Sequence, residues 1–482
     1  MATVEMLIDE GSWQISDDGT KSRDPLSWPG YAEALEKAAA GSGWNESVQT
    51  GPALIGGHRV EYAAFGFGFV GGSMGEVAGE RLATAMERAA SQGIPFVLRT
   101  ATGGARMQEG MRSLVQMPKV VAARIGLEKA RVPFIVVLGH PTTGGVLASL
   151  GALADATIAE SEATIGFAGP RLVERFTGHK LAEDSHTAES AFASGLIDEV
   201  ADPEDVKESV VNALAAFAPD APEEVDAPPR HERTGAPDDA WEVVEEARAG
   251  TRPLGHELLL EMTESFFALN GDRSGGTDPS VDVAIGRVYG RRALFLALDR
   301  QRAPRPSAFR KARRAIDIAE RLGIPVVTFV DTGGADPSER SEARGIAWEI
   351  AALFRRMLTV EVPVISIAIG EGGSGGALAF ATADLLLAYE SSFFSVIGPE
   401  LAAEILWRDP ERGPEAARLL HLTAHDLLAL GIADDLLPEP PEPRSLRRII
   451  AYHLGRLETR DNLVASRLER WRDGFGNGKK SS

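Results

Sequence analysis

Cysteine is absent from this 482-residue chain. That absence excludes disulfides, thiolate metal sites, iron–sulfur clusters and a cysteine nucleophile, so any redox chemistry would need a bound cofactor. An excess of positive charge is also lacking: 50 Lys and Arg stand against 70 Asp and Glu, a formal charge of −20. Such a balance opposes the phosphate attraction that dominates non-specific nucleic-acid binding, so neither DNA nor an anionic membrane is expected as a general partner. A local basic patch for a phosphorylated ligand stays compatible with it. Long apolar runs are missing too. The longest, such as Val132 to Leu138 and Val362 to Ile369, fall far short of the ~20 residues that a membrane helix needs. The opening MATVEMLIDEGSWQISDDG has no basic start and no apolar stretch of signal-peptide length, which predicts a soluble cytoplasmic protein.

What is present reads as folded protein. Hydrophobic residues make up 44% and charged residues 25%, inside the usual globular range, and the length allows two large domains or about three average ones. From Ala218 to Ala240 the chain runs APDAPEEVDAPPRHERTGAPDDA, with Val225 as its only large apolar residue. Proline and acid at that density predict a linker over 218–239, separating a first domain, 1–217, from a second, 240–482, that ends in a helical tail.

Comparison across the linker exposes a repeat. GIPFVLRTATGGAR begins at Gly93 and GIPVVTFVDTGGAD at Gly323, 230 residues later. VPFIVVLG at Val132 and VPVISIAIG at Val362 are again 230 apart. The glycine pairs of TTGGV (Thr142 to Val146) and GSGGAL (ending at Leu378) lie 231 apart, and FAGP (Phe167 to Pro170) and VIGP (Val396 to Pro399) lie 229 apart. Ordered matches at almost one offset mean that a single fold has been duplicated. Within each half, β-branched runs (Phe96 to Leu98, Phe134 to Leu138, Val326 to Val330, Val364 to Ile369) alternate with helical periodicity, as in Glu80 to Gln92 and Ser307 to Leu322. Strand, glycine turn, helix, strand predicts α/β units with mainly parallel strands and ligand sites at the strand ends.

A strand that ends in Gly-Gly before a helix points backbone N–H groups outward, where they can bind an anion. No GxxxxGK[ST] occurs at these turns and no Lys follows either pair, so a Lys-bearing phosphate cradle does not fit. An oxyanion site asks only for two N–H groups aimed at a carbonyl oxygen that gains charge; tight turns or close packing are the alternative use of the same glycines. Side-chain machinery is sparse. His421 and His425 have i, i+4 spacing, but no third metal ligand stands near them in sequence, so a solvated or capping face is expected. His140, before Pro141, could line a site or simply occupy a loop. Ser374 within GGSGG has no evident His partner. An enzyme of this composition would rely on backbone electrostatics and a cofactor.

These motifs carry a family resemblance. From about Asp24 to Phe217 the chain resembles the β subunit of bacterial acetyl-CoA carboxylase carboxyltransferase, through GGSMGEVAGER (Gly71 to Arg81), TGGARMQEG (Thr102 to Gly110), PTTGGV (Pro141 to Val146) and IGFAGPR (Ile165 to Arg171). From about Ala240 to Pro438 it resembles the α subunit, through GDR (Gly271 to Arg273), FVDTGGAD (Phe329 to Asp336), IGEGGSGGAL (Ile369 to Leu378) and SVIGPE (Ser395 to Glu400). The order is that of a β–α fusion.

The resemblance implies two tandem crotonase-like domains of the ClpP/crotonase superfamily. It implies transfer of a carboxyl group from carboxybiotin, held on a separate biotin carboxyl carrier protein loaded by a biotin carboxylase, to the α-carbon of an acyl-CoA. Acetyl-CoA to malonyl-CoA, a step of fatty acid biosynthesis, is the expected case. In such enzymes decarboxylated biotin takes the α-proton, so no protein base is needed. By the same resemblance Gly144 and Gly145 would hold the thioester enolate oxygen, and Gly375, Gly376 and Ala377 the ureido oxygen of biotin. Gly103, Gly104, Ala105 and Arg106, with Phe167, Gly169, Pro170 and Arg171, would line the CoA channel. Arg106 and Arg171 are candidate phosphate partners, or alternatively structural ion pairs. Gly333 and Gly334 belong to the biotin side. The resemblance further implies homo-oligomers with sites between β-like and α-like domains, and no metal.

Departures are visible. The family's usual N-terminal zinc ribbon is not expected without cysteine. Only Arg300 to Pro306 stand where the α subunit has a longer basic loop, and TGGADPS (Thr332 to Ser338) replaces TPGAYPG. Two other readings stay open: a malonate-decarboxylase type acting on malonyl thioesters, and a catalytically silent scaffold.

Overall fold

A computed structural model describes residues 2–16, 19–229 and 235–473. The chain divides into two units, Met1–Phe217 with Arg273–Gly276, and Ala218–Asp272 with Thr277–Ser482.

In the first unit a hairpin of β1 (Val48–Ile55) and β2 (His58–Phe65) turns at Gly56 and Gly57. Both have positive φ, +54° and +78°, the backbone that a tight two-residue hairpin turn demands and glycine supplies. Then follow β3 (Phe96–Thr102), β4 (Phe134–Thr143), β5 (Ala156–Glu160), β6 (Ile165–Gly166) and β7 (Glu199–Ala201). Among the described residues the sheet runs β1-β2-β3-β4-β5-β7, parallel from β2 onward, with β6 paired to the end of β4. Every residue of β3 is buried. Burial on both faces accounts for continuous apolar runs, where a half-exposed strand would alternate. The one charge in that strand, Arg99, is neutralised by Glu160 with Nη2–Oε1 at 2.6 Å. Helix Glu76–Gln92 crosses from β2 to β3 and stops at Gly93, φ +63°, a left-handed cap that satisfies its last carbonyls.

The second unit repeats the plan. A hairpin of β9 (Val281–Val288) and β10 (Arg291–Leu298), flanked by β8 (Phe266–Ala268), leads to β11 (Val326–Thr332), β12 (Val364–Gly373), β13 (Leu385–Tyr389), β14 (Phe393–Ser395) and β15 (Asp435–Leu437). The order is β15-β13-β12-β11-β10-β9-β8, with β14 paired to β12. Helix Pro306–Leu322 ends at Gly323, φ +68°. The expected parallel strands are present in both sheets, and the antiparallel pairs are confined to the hairpin edge.

The proline- and acid-rich segment begins fixed to the second unit. The N–H groups of Ala221 and Glu223 donate to the carbonyls of Gly290 and Tyr289, and Asp220 pairs with Arg292. Residues 230–234 of the expected linker and 474–482 of the expected tail lie outside the described residues. The rest of the tail forms helices Pro443–Leu457 and Leu463–Asp473. Arg467 seals the second of these: fully buried, it donates to the carbonyls of Met357, Val360 and Val362 and pairs with Asp384 at 2.6 Å.

Candidate active site at the stacked glycine turns

In the first unit, β3 ends in Thr102-Gly103-Gly104-Ala105 and β4 in Thr142-Thr143-Gly144-Gly145. The two turns touch. A Cβ on Gly104 would lie 3.1 Å from the Gly144 Cα, and one on Gly144, at φ +68°, would lie 3.0 Å from the Gly104 Cα. Glycine is required at both places because backbone packs on backbone.

Main-chain donors in these turns are largely consumed. Gly103 N–H donates to the Gly71 carbonyl at 3.0 Å, Gly104 N–H to Thr102 Oγ1 at 2.9 Å and Arg106 N–H to the Met74 carbonyl at 3.0 Å. Gly144 N–H donates to the Phe167 carbonyl at 2.9 Å. The expected pairing of Gly144 with Gly145 is thereby corrected, since the first N–H already closes the strand end. The N–H groups of Ala105 and Gly145 have no partner among the described residues. One donor thus comes from each turn.

The second unit has the same arrangement with a shifted equivalence. Thr102 pairs with Thr142 in the first sheet and Thr332 with Gly372 in the second, so the structural offset is 230 on both strands. Gly144 therefore matches Ser374, which takes φ +58° beside the +68° of Gly144, and Gly145 matches Gly375. Aligning glycine with glycine, at 231, put the pair one residue too far along. Gly376 matches Val146 and serves close packing: a Cβ there would lie 2.7 Å from the Ala335 nitrogen. Ala377 is wholly buried in helix Ser374–Ala381, out of a ligand's reach. The N–H groups without a partner among the described residues are those of Ala335 and Gly375. Gly333 and Gly334 form the turn itself, with Gly334 N–H donating to Thr332 Oγ1 at 3.3 Å.

Arg106 is not a phosphate ligand. Its guanidinium is completely buried, contacts Glu46, lies 3.1 Å from Glu109 and donates to Ser22, Ser47 and the Ser73 carbonyl. Burial works against its charge, but the two carboxylates outweigh that and hold its pKa above the ordinary arginine value. Arg171 is the opposite case: exposed, without an ion-pair partner among the described residues, in the first turn of helix Pro170–Thr177. Phe167 is 72% exposed beside it, and nothing stands within 4 Å of a Cβ placed on Gly169.

Sequence reasoning missed the polar rim of the second turn. Arg248 holds Glu371 with two bonds of 2.8 Å and Glu400 with one of 2.7 Å. It thus ties the end of β12 to the first turn of helix Pro399–Trp407. Both glutamates sit inside quoted motifs, but Arg248 lies in none. Behind them Asp331 accepts the Glu371 N–H at 3.0 Å. Burial pushes Asp331 up to about 6, against the pull of the Arg300 guanidinium 3.0 Å away. Beside Ser374 and Gly375 opens an apolar groove of about 340 Å³, walled by Leu378, Leu386, Phe394 and Val396. His140 accepts the Thr164 N–H at Nδ1. His421 and His425 face Asp426 and Glu390 at 3.5 and 3.9 Å, and no cluster able to hold a metal occurs among the described residues.

Over most of its length the chain matches known proteins. The family of acetyl co-enzyme A carboxylase carboxyltransferase-like domains matches residues 237–448. Over 463 residues the chain is 39% identical to the acetyl-coenzyme A carboxylase carboxyl transferase subunits beta/alpha of Salinispora arenicola, covering 91% of this chain and 82% of that protein. The chain belongs to this family. A probable biotin-dependent acyl-coenzyme A carboxylase beta3 subunit of Mycobacterium bovis is 36% identical over 90% of this chain and 88% of its own. The crystal structure of transcarboxylase 12S, a hexamer assembly with methylmalonyl-coenzyme A and methylmalonic acid bound, superposes with a TM-score of 0.77 at 26% identity, covering 96% and 90%. The chain is accordingly a carboxyltransferase of the biotin-dependent acyl-CoA carboxylases, with two tandem crotonase-like domains. No helix among the described residues is long and apolar enough to cross a membrane.

Proposed function

We propose that the chain moves a carboxyl group from carboxybiotin, presented in the cytoplasm on a carrier protein that a biotin carboxylase loads, to the α-carbon of an acyl-CoA, acetyl-CoA first among candidates. The observation that carries this reading is the pair of free N–H groups in each unit. In the first unit Ala105 and Gly145 would receive the thioester oxygen as enolate charge develops. Donors fixed by the fold need no reorganisation at that moment, and losing one typically costs ~2.7–4 kcal/mol of barrier. Arg171 would meet a CoA phosphate.

In the second unit the N–H groups of Ala335 and Gly375 fit a neutral ureido oxygen, and the apolar groove beside Gly375 fits the ring and chain of biotin. Glu371 and Glu400 place negative charge at this turn, where a CoA phosphate would be repelled. Carboxybiotin supplies the carboxyl group and, once relieved of it, the base. The protein's part is to hold both carbonyl oxygens, which agrees with the scarcity of acid–base side chains at the turns. Self-association belongs to the same reading, because each unit supplies only half of the donor set.

The test is the reverse half-reaction. Purified protein is given malonyl-CoA or methylmalonyl-CoA, with and without free biotin or biocytin, and loss of the carboxyl group is followed. Biotin-dependent release of acetyl- or propionyl-CoA is expected. Biotin-independent loss would favour the malonate-decarboxylase type, and failure to bind any CoA ester would favour a silent scaffold.

A further inference from the structure

The turn after β12 carries a side chain for which carboxyl transfer has no use. Ser374 closes the strand and opens helix Ser374–Ala381 at φ +58°, in the left-handed region where the first unit has Gly144. The serine sits there against backbone strain, and such strain clusters at functional sites. Ser374 is exposed, and its hydroxyl has no hydrogen-bond partner among the described residues. The N–H that follows it, of Gly375, is unspent, as is that of Ala335 in the turn packed against it. A serine at a sharp strand-to-helix turn, with the next N–H and one from a neighbouring loop free, has the shape of a nucleophile elbow.

The fold supplies the histidine that the sequence around Ser374 lacks. Gly373 pairs with Ser395 on β14. On the opposite edge of β14, Phe394 N–H donates to the Leu422 carbonyl at 2.9 Å, and Ala424 N–H donates to the Ser392 carbonyl at 3.1 Å. Gly373 and Leu422 thus lie two strand spacings apart, ~10 Å, a gap that a hydroxymethyl group and an imidazole on the adjoining residues can close with one hydrogen bond. Ser374 and His421 line the same apolar groove. Asp426 Oδ1 lies 3.5 Å from His421 Nδ1, and the other oxygen of Asp426 is fixed by Thr423, N–H at 3.0 Å and Oγ1 at 2.7 Å. None of the three side chains has a counterpart in the first unit. Gly144 stands for Ser374, and at the matching capping box, Thr187 against Thr423, Ser185 and Ser190 stand for His421 and Asp426.

We propose that Ser374, His421 and Asp426 act as nucleophile, base and orienting carboxylate, and that the second unit hydrolyses esters of apolar acyl groups without a cofactor. The acyl chain lies in the groove walled by Leu378, Leu386, Phe394 and Val396. Asp426 keeps a proton on Nδ1, which leaves Nε2 as the base. Ser374 Oγ bonds to the carbonyl carbon while its proton passes to His421 Nε2, and the carbonyl oxygen takes the negative charge beneath the N–H groups of Ala335 and Gly375. The bond to the leaving oxygen then breaks, and the alcohol departs with that proton. Water, giving a proton to the same imidazole, attacks the acyl-serine, and the carboxylic acid leaves as the proton returns to Oγ. The proposal uses the donor pair assigned above and asks nothing of carboxybiotin.

The test compares the wild-type chain with Ser374→Gly and His421→Asn. Both replacements suit a left-handed backbone, glycine being the first unit's own residue at that place and asparagine one that tolerates it, so the fold is kept. Each protein is given p-nitrophenyl butyrate without biotin, and release of p-nitrophenolate is followed; a fluorophosphonate probe is then added and the labelled residue found by peptide mass spectrometry. Wild type should hydrolyse the ester faster than buffer and carry the label on Ser374. Ser374→Gly should fall to the rate of buffer with no label, and His421→Asn should lose ~10²-fold or more, the worth of a positioned base. No hydrolysis by wild type, a label on another residue, or a His421→Asn rate equal to wild type would each overturn the inference. Biotin-dependent release of acetyl-CoA from malonyl-CoA is measured on the same wild-type protein. Ester hydrolysis without that release counts against the carboxyltransferase reading alone, and release without hydrolysis or label counts against this inference alone.

Discussion

Gly376→Ala is the sharpest probe of the stacked turns. The added Cβ would lie 2.7 Å from the nitrogen and 2.9 Å from the Cβ of Ala335. Ordinary contact begins at 3.4 Å, so one turn must retreat from the other by about 0.7 Å. That atom is backbone, and it carries one of the two donors proposed for the biotin oxygen. A shift of most of an ångström at one donor should remove much of its effect, a loss on the order of 10²-fold in kcat, with an overpacking cost of about 1–3 kcal/mol in stability. The acyl-CoA side is untouched, so KM for malonyl-CoA in the biotin-dependent half-reaction should stay within about twofold. Gly145→Ala is the control for geometry. Its Cβ would meet the Met117 sulfur at 2.9 Å, the end of a flexible side chain that can turn away, so its activity loss should be far smaller. Gly376→Ala with kcat within about threefold of wild type, in folded protein, would refute the assignment of Ala335 as a donor.

The two arginines of the first unit should separate cleanly. Arg106→Met strands Glu46 and Glu109 in the interior and should cost about 3–5 kcal/mol, read as a lowered unfolding midpoint, with KM for acyl-CoA unchanged in the folded fraction. Arg171→Ala should leave the midpoint alone and raise KM for acyl-CoA about tenfold, the worth of one charge-assisted contact; unchanged KM would remove it from the CoA site. Arg467→Ala removes the ion-pair partner of Asp384 and the side-chain donor to three carbonyls. It should release the helix Leu463–Asp473 to protease well below the global melting temperature. Asp331 predicts a pH dependence. Its folded pKa, about 6, lies above the unfolded value near 3.9, so the folded state holds that proton more tightly. The resulting stability is present in full below about pH 4 and is lost as pH rises through 6, about 3 kcal/mol at 1.36 per pK unit. Asp331→Asn should flatten that part of the denaturation profile; an unchanged slope would contradict the burial argument.

The sequence by itself determined the duplication, the α/β class and the glycine turns at strand ends. These are local properties: strand runs, turn glycines and their spacing are written in consecutive residues. The tertiary structure decided which groups are free to act. Whether an arginine is a ligand or a strut depends on partners far along the chain, as Arg106 meets Glu46 sixty residues away. Whether Gly144 can donate depends on the carbonyl of Phe167. The one-residue shift between the two glycine pairs stayed hidden because the left-handed position is Gly144 in one copy and Ser374 in the other. Identity of residue type suggested one alignment, and the pairing of strands imposed another. Ala105 and Ala335 carry no side-chain chemistry at all, so only the hydrogen bonds around them reveal that their N–H groups are unspent.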